Sequence, residues 1–169
     1  MRVSASTKMK MSPRAADAPA MARTMALGFA TYRAFGPAGW HAPDPENVEE
    51  PLIRERLTGR RTRCLIAEAH GEPAGHVAWL PDAQRPGAYL WQLFVRPRWF
   101  GTGLAAGLHD AFLERAAAEG WRCARLRTPA PHARARRFYA RRGWRTDGPP
   151  LDEPAFGMPL VVLVRDRLP

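Results

Sequence analysis

The stretch VRPRWFGTGLAAGLHD, at Val95–Asp110, has the composition of an anion-binding turn. An apolar strand pattern ends at a proline, Gly101 and Gly103 follow, and a helical pattern then begins. Backbone N–H groups at the start of a helix have no partner within the helix, and glycine leaves them open to a ligand. The stretch therefore predicts a main-chain site for an anion, unless the glycines only permit a tight strand-to-helix turn.

Two phosphate-containing ligands, a dinucleotide and coenzyme A, are candidates for this turn. Gly101, Gly103 and Ala106 satisfy the dinucleotide pattern G-x-G-x-x-A. That pattern normally follows the first strand of a parallel unit, whereas antiparallel strands are expected before this turn. The alternative ligand is the pyrophosphate of coenzyme A, and a second stretch favours it.

The segment HARARRFYARRGW, at His132–Trp144, places an aromatic pair on a helix that a glycine ends. Together, V-x-P-x-x-x-G-x-G-L-A and A-x-x-F-Y-x-x-x-G-W resemble the GNAT superfamily of acyl-CoA-dependent N-acyltransferases. The resemblance spans about Met9–Val164. It implies an α/β (α+β) fold, with a mixed sheet of about seven strands whose first four are antiparallel. Helices are expected on both faces of the sheet, and strands 4 and 5 are expected to splay apart.

The family's turn reads Gln/Arg-x-x-Gly-x-Gly/Ala, which puts Phe100, Gly103 and Ala105 at its three positions. A register that starts at Arg98 displaces Leu108 from its matching place and is disfavoured. Phe100 is a departure, because an aromatic ring supplies no side-chain donor. Phosphate binding is therefore expected to rest on the backbone N–H groups after Phe100, assisted by the helix dipole.

The resemblance implies direct acetyl transfer from acetyl-CoA, the co-substrate, to an amine of a small molecule or protein in a ternary complex. The pantetheine arm would enter the gap between strands 4 and 5, where a main-chain N–H would polarise the thioester oxygen. Tyr139 matches the family's general acid toward the leaving sulfur. His132 stands where the family usually has Asn, which is expected to cost a hydrogen bond near the pantetheine. The expected cofactor-binding residues are Leu93, Phe94, Val95, Phe100, Gly101, Thr102, Gly103, Leu104, Ala105, His132 and Phe138.

The attacking amine must be neutral, so a base or a water chain to one is needed. Gln92 precedes the cleft, and an amide cannot serve as a base. Glu68 and His76, on neighbouring strands, are the candidates, together with water. Cys123 as an acyl-accepting nucleophile has no base near it in the sequence. The missing carboxylate keeps a second function class open, a non-catalytic domain of this fold that binds coenzyme A or nucleic acid.

The formal net charge is +10, and nearly all of the positive charge is arginine. Such a balance favours polyanions. Six arginines crowd one short region: Arg134, Arg136, Arg137, Arg141, Arg142 and Arg145. They form a solvated helix face, a nucleic-acid surface, or a site where one or two of them bind the 3′-phosphate of coenzyme A. No zinc finger, helix-turn-helix or RNA-binding aromatic signature accompanies them, so nucleic acid is not an expected partner.

The 169 residues are enough for one domain, expected at 7–169 after a loose leader at 1–6. No apolar run approaches the roughly 20 residues of a membrane helix, and no secretory signal is evident. Cys64 and Cys123 have neither metal-ligand nor disulfide spacing, so no bound metal is expected. Free cysteines are typical of a reducing compartment, so a cytoplasmic location is expected. A homodimer is compatible with the resemblance.

Hydropathy patterns predict the elements that must position these residues. Leu104, Leu108, Phe112 and Ala116 recur at helical spacing, and Gly120 ends their helix. Asp17 is expected to cap a helix that runs to about Phe35. The other predicted helices are Glu49–Leu57 and 132–142. Strands are predicted at Thr7–Met11, Cys64–Ala69, Ala74–Leu80, Ala88–Val95, Arg122–Thr128, 143–146 and Pro159–Val164.

Overall fold

A computed structural model describes residues 7–11, 13–59 and 61–169. The predicted leader, 1–6, lies outside these residues. The strands are β1 Thr7–Met11, β2 Arg63–Ala69, β3 Glu72–Pro81, β4 Ala88–Val95, β5 Ala124–Pro129, β6 Arg145–Thr146 and β7 Leu160–Arg165. The helices are α1 Ala18–Ala30, α2 Glu50–Thr58, α3 Leu104–Ala118 and α4 Ala133–Ala140. No helix within the described ranges has both the length and the apolarity to cross a membrane.

These strands form one mixed sheet in the order β1-β2-β3-β4-β5-β7-β6. Strands β1 to β4 pair antiparallel with their neighbours, and β4 pairs parallel with β5. The reversal follows from the connections, because short turns join antiparallel neighbours whereas α3 carries the chain back to start β5 in parallel. The predicted mixed sheet with four antiparallel leading strands is confirmed.

Strands β4 and β5 separate part of the way along. They pair only where Ala88–Leu90 lies opposite Ala124–Leu126. At that point β4 contains one extra residue, Trp91, since its neighbours on either side pair with the consecutive β3 residues Ala78 and Trp79. A bulge bends its strand and interrupts the local ladder. The rest of β4 therefore leaves β5, which confirms the predicted splay.

Helices cover both faces of the sheet, as predicted. On one face, α3 and α4 build a core that includes Trp79, Phe112 and Trp144. On the other face, α1 and α2 build a second core that includes Phe29 and Ile53. The splayed ends of β4 and β5 lie between these two cores, so a cleft there has an apolar layer on each side.

The predicted capping of α1 by Asp17 is wrong. Asp17 directly precedes α1, but its carboxylate accepts hydrogen bonds from the backbone N–H of Arg14 at 2.7 Å and from Lys10 Nζ at 2.6 Å. The side chain is thereby held by the preceding turn and by β1. The α-helical geometry also ends at Ala30 and continues as a 3-10 turn, Thr31–Ala34, short of Phe35.

Candidate functional site

The glycine turn joins β4 to α3. A short 3-10 turn, Pro97–Trp99, lies at its start, and Gly103 is the N-cap residue directly before α3. Gly101 and Gly103 have φ angles of 77° and 88°, in the left-handed region that favours glycine. The hydroxyl of Thr102 donates to the Trp99 carbonyl at 2.8 Å, so this side chain holds the turn itself. Neither glycine has a side chain of its own that could cover its backbone N–H at the entry to α3.

A cavity of about 330 Å³ lies between this turn and α4, and we call it the turn cavity. Nine of the sequence-predicted residues line it: Leu93, Val95, Phe100, Gly101, Gly103, Ala105, His132, Phe138 and Tyr139. Leu104 is instead buried in the core beneath α3, and Thr102 does not line the cavity. The segments 93–105 and 132–139, separate in the sequence, therefore form the walls of one space.

A second cavity, of about 550 Å³, extends along the β4–β5 cleft toward α1 and α2, and we call it the cleft cavity. Phe94 lines this cavity and not the first. The two cavities share four lining residues, which are Leu93, His132, Ala135 and Tyr139. A group held in one cavity can therefore meet a group held in the other beside Leu93 and Tyr139.

Tyr139 is 8% exposed, and burial raises the pKa of its phenol above the ordinary value. Its ring packs against those of Phe138 and Trp144, with centroids 5.2 and 5.7 Å away. No residue of the described ranges forms a hydrogen bond with its hydroxyl. The hydroxyl is therefore a protonated donor at neutral pH, available at the junction of the two cavities.

His132 is the N-cap residue directly before α4, and its Nδ1 accepts a hydrogen bond from the backbone N–H of Ala135 at 3.5 Å. Its ring stacks on Phe35, with centroids 4.6 Å apart, and lies edge-on to Tyr32. Burial, with the nearby charge of Arg134, lowers the pKa of His132 to about 4. The imidazole at the position usually occupied by Asn is thus a neutral cap that lines both cavities.

His109, which the sequence analysis did not single out, lies behind Tyr139. It is fully buried on α3, and its Nε2 accepts a hydrogen bond from Trp144 Nε1 at 2.9 Å. Its Nδ1 is 3.1 Å from a carboxylate oxygen of Asp110, so the tautomer with a proton on Nδ1 satisfies both contacts. Burial lowers the pKa of His109, although Asp110 opposes this. The sequence feature that could have indicated this buried hydrogen bond is a histidine on the apolar face of α3.

Two arginines of the basic region line the turn cavity. The guanidinium carbon of Arg134 lies 3.8 Å from the centroid of the Phe100 ring, and that of Arg142 lies 4.1 Å from the Phe138 ring. Both distances are within the range of cation–π attraction. Phe100 therefore supplies no donor itself, but it holds a cation from α4 over the glycine turn.

The proposed bases Glu68 and His76 line neither cavity. His76 is 1% exposed, its Nε2 lies 3.0 Å from the Gln92 side-chain oxygen, and burial lowers its pKa to about 4. Glu68 pairs with Lys8 in the β1–β2 register. A carboxylate that the sequence analysis missed, Glu49, lines the cleft cavity at 8% exposure, and burial raises its pKa.

The cysteines also lie outside the two cavities. Cys64 packs against Met21, and burial raises the pKa of its thiol to about 12. Cys123 donates to the Pro86 carbonyl at 3.1 Å. Over the ranges that the structure covers, no three His, Cys, Asp or Glu side chains group as a metal site.

A sequence model of the acetyltransferase (GNAT) family matches residues 28–144. An uncharacterized N-acetyltransferase of Mycobacterium bovis is 31% identical over 102 residues, which are 60% of this chain and 65% of the relative. The chain thus spans just under two thirds of the length of this curated relative.

Solved structures show the same fold. An acetyltransferase from Thermus thermophilus is 22% identical, with a TM-score of 0.70 over 98% of this chain and 99% of that one. The PaiA N-acetyltransferase of Thermoplasma acidophilum, solved in complex with coenzyme A, is 15% identical with a TM-score of 0.70 over 95% and 99%. Since the family model matches more than half of the chain, the chain belongs to the GNAT acetyltransferase family.

Proposed function

We propose that this protein transfers the acetyl group of acetyl-CoA directly to an amine within a ternary complex. One observation carries the proposal: the turn cavity and the cleft cavity meet beside Leu93 and Tyr139. A cofactor in the first cavity would present its thioester there, and an amine in the second would approach the same point. Holding two reactants in contact makes the reaction effectively unimolecular and lowers its barrier.

The acceptor amine enters the site as an ammonium ion. The ammonium gives up one proton to a base, and the neutral nitrogen then attacks the thioester carbon to form the N–C bond. A main-chain N–H near Leu93–Val95 binds the oxygen that becomes negative, and the C–S bond breaks as the carbonyl re-forms. The nitrogen's second proton passes through water to the thiolate sulfur, and coenzyme A leaves as the thiol.

Tyr139 acts on the leaving sulfur. A free thiol has a pKa of about 8.5, well below that of a phenol, so full proton transfer from Tyr139 to the thiolate is uphill. The raised pKa of Tyr139 strengthens this argument. We therefore propose that Tyr139 keeps its proton and stabilises the sulfur by a hydrogen bond as negative charge develops.

The turn cavity suits the phosphates of coenzyme A. The main-chain amides of Gly101–Ala105 and the start of α3 attract an anion. Arg134 and Arg142 add two cations on the opposite wall, held over aromatic rings. We propose that these two arginines bind the cofactor's phosphates. This role for part of the basic region requires no nucleic-acid partner.

Gly103→Val is expected to weaken acetyl-CoA binding at least tenfold. Valine at a φ of 88° is strained by about 1–3 kcal/mol, and relieving the strain moves the amides of the turn. Gly120→Val is the matched control, because it places the same strain at the other end of α3, at a φ of 91°. Isothermal titration with acetyl-CoA measures both. Equal affinities in the two variants would contradict the placement of the phosphate at this turn.

Arg134→Ala is expected to weaken acetyl-CoA binding about tenfold, as for the loss of one charge-assisted hydrogen bond. Arg137→Ala is the control, since Arg137 is exposed on the same helix and does not line the turn cavity. Adding Phe100→Arg to Arg134→Ala is expected to restore affinity, because a cation then returns to the turn from the other wall. A double variant as weak as Arg134→Ala would count against the need for a positive charge at this turn.

Acetyl-CoA with a panel of amines, followed by detection of the free thiol, tests the proposed reaction. We expect amine-dependent thiol release and a rise in Tm with acetyl-CoA alone. A Tm rise without thiol release for any amine would favour the non-catalytic domain. Absence of both would reject the proposed function. We further propose that residues 7–169 form a single domain and that the protein is a cytoplasmic homodimer.

A further inference from the structure

The Glu49 carboxylate is buried in the cleft cavity without a partner. Glu49 is 8% exposed, and no described residue forms a hydrogen bond or an ion pair with its carboxylate. Burial is the cause that raises its pKa, with no cation nearby to oppose it. An unpaired buried carboxylate is costly to the folded protein. Such a carboxylate is therefore expected at a site where a bound ligand supplies a compensating positive charge.

The backbone around Glu49 is held in place. Glu49 ends a short π-helical turn, Pro45–Glu49, that leads into α2. Asp44 starts this turn, and its side chain accepts hydrogen bonds from the N–H groups of Glu46 and Asn47 at 2.9 and 2.8 Å. The N–H of Glu49 donates to the Asp44 carbonyl at 3.0 Å. The carboxylate is thus carried on an ordered turn, as a binding group should be.

Aromatic rings form much of the cleft cavity's wall. Phe29 packs edge-on against Phe94, with centroids 5.1 Å apart, and lies 5.9 Å from Phe156. Trp91, the bulge residue of β4, also lines the cavity. Such walls bury a flat or apolar molecule well, because aromatic rings offer large rigid surfaces. The body of the acceptor is therefore expected to be apolar.

The charges that line the cleft cavity sum to a single negative charge. Arg127 Nη1 lies 3.6 Å from a carboxylate oxygen of Glu153, so these two charges compensate each other. His132 is neutral, since its pKa is lowered to about 4. Glu49 is the remaining charge. One ammonium group compensates it, whereas a second cation or an added carboxylate has no free counterpart among these residues.

We infer that the acceptor is a primary monoamine on an apolar body, such as an arylalkylamine, and that the Glu49 carboxylate binds its ammonium group on entry to the cleft cavity, before the nitrogen loses a proton and attacks. The inference rests on the proposed function and specifies its acceptor. The aromatic walls bind the apolar body of the acceptor. The negative carboxylate attracts the ammonium group into the cleft cavity, although the protein as a whole is strongly basic.

The test compares amines at saturating acetyl-CoA with the full chain. The panel contains 2-phenylethylamine, hexylamine, spermidine, glycine and a peptide with a free N-terminus, and thiol release is measured for each. The kcat/KM for 2-phenylethylamine is expected to exceed those for spermidine, glycine and the peptide at least tenfold. Preference for any of these three would overturn the inference.

Glu49→Gln is expected to raise the KM for 2-phenylethylamine at least tenfold, since the charge is lost while the shape is kept. Glu46→Gln is the matched control, because Glu46 is exposed on the same turn and lines neither cavity. Glu49→Asp keeps the charge and is expected to retain a KM nearer to wild type than Glu49→Gln does. A wild-type KM in Glu49→Gln would overturn the inference.

Acetyl-CoA binding separates this inference from the function on which it rests. Efficient acetylation of spermidine, glycine or the peptide would reject the acceptor class and leave acetyl transfer standing. No thiol release with any amine, together with no Tm rise on adding acetyl-CoA, would reject the proposed function itself. Both Glu49 variants are expected to keep the Tm rise with acetyl-CoA, because Glu49 does not line the turn cavity.

Discussion

Tyr139→Phe is expected to lower kcat about 100-fold, within the range for losing one hydrogen-bond donor to an atom that becomes negative in the transition state. The variant removes one oxygen, and no described residue forms a hydrogen bond with it. Binding of acetyl-CoA is expected to stay near wild type, because the ring remains packed against Phe138 and Trp144. Steady-state kinetics with a good amine acceptor measures kcat, and titration measures the affinity for acetyl-CoA.

The fold is expected to survive this change, so the variant's Tm serves as its internal control. A kcat near wild type would remove Tyr139 from the chemistry and leave it as a packing residue. An equal loss in kcat and in acetyl-CoA affinity would instead indicate a damaged cofactor site. The separation of the two parameters therefore decides the role of the hydroxyl.

Asp82→Asn is expected to lower the free energy of unfolding by about 3–5 kcal/mol, the usual cost of breaking a buried ion pair. The Asp82 carboxylate accepts two hydrogen bonds from the Arg125 guanidinium, at 2.5 and 2.7 Å. The two side chains are only 1% and 6% exposed. Neutralising Asp82 leaves the Arg125 charge buried and uncompensated. Urea unfolding followed by circular dichroism measures the loss.

Asp147→Asn is the control for that variant, because the Asp147–Arg85 ion pair is exposed to solvent and its loss is expected to matter little. Burial by itself would raise the pKa of Asp82, but the hydrogen bonds and charge of Arg125, together with the Gln84 N–H and the charge of Arg85, outweigh it and lower the pKa. The stability that this carboxylate contributes is therefore present above its unfolded-state pKa and is lost as pH falls through the folded one. Wild type is expected to lose more stability in acid than Asp82→Asn does, and equal losses would contradict the assignment.

The location of this ion pair matters to the site. Asp82 follows β3 directly, and Arg125 lies in β5 at the pairing opposite Tyr89. The pair thus holds together the end of the sheet where β4 and β5 remain hydrogen-bonded, whereas the Trp91 bulge opens the other end. A cleft that is closed at one end and open at the other follows from these two features together.

Local sequence patterns predicted a helix, strand or turn well where the pattern lies within that element itself. The apolar residues Leu104, Leu108 and Phe112 at helical spacing correspond to the buried face of α3. Gly101 and Gly103 adopt the left-handed backbone that glycine favours. Asp17 failed as a cap because Lys10, in a separate strand, and Arg14 hold its carboxylate. A capping pattern in sequence contains no information about such a competing partner.

The site depends on contacts between distant segments, which explains what the sequence analysis missed. Glu49 looks like an ordinary carboxylate at a helix start, and its burial arises only when the turn before α2 closes against the cleft. Arg134 was one of six clustered arginines, and only the approach of α4 to the glycine turn sets it over Phe100. Glu68 and His76 lie near the cleft strands in the predicted sheet, yet neither residue lines the cavities.

Local sequence patterns suffice to predict the order and type of the elements, the glycine turn before α3 and, through two motifs, the family. These features follow from backbone preferences and apolar spacing, which act over a few residues. The folded protein is needed to show where β4 leaves β5, which carboxylate faces the cleft, and which arginines line the turn cavity. The physical reason is that burial, pKa and charge compensation depend on all neighbours in space, and most of these neighbours lie far away along the chain.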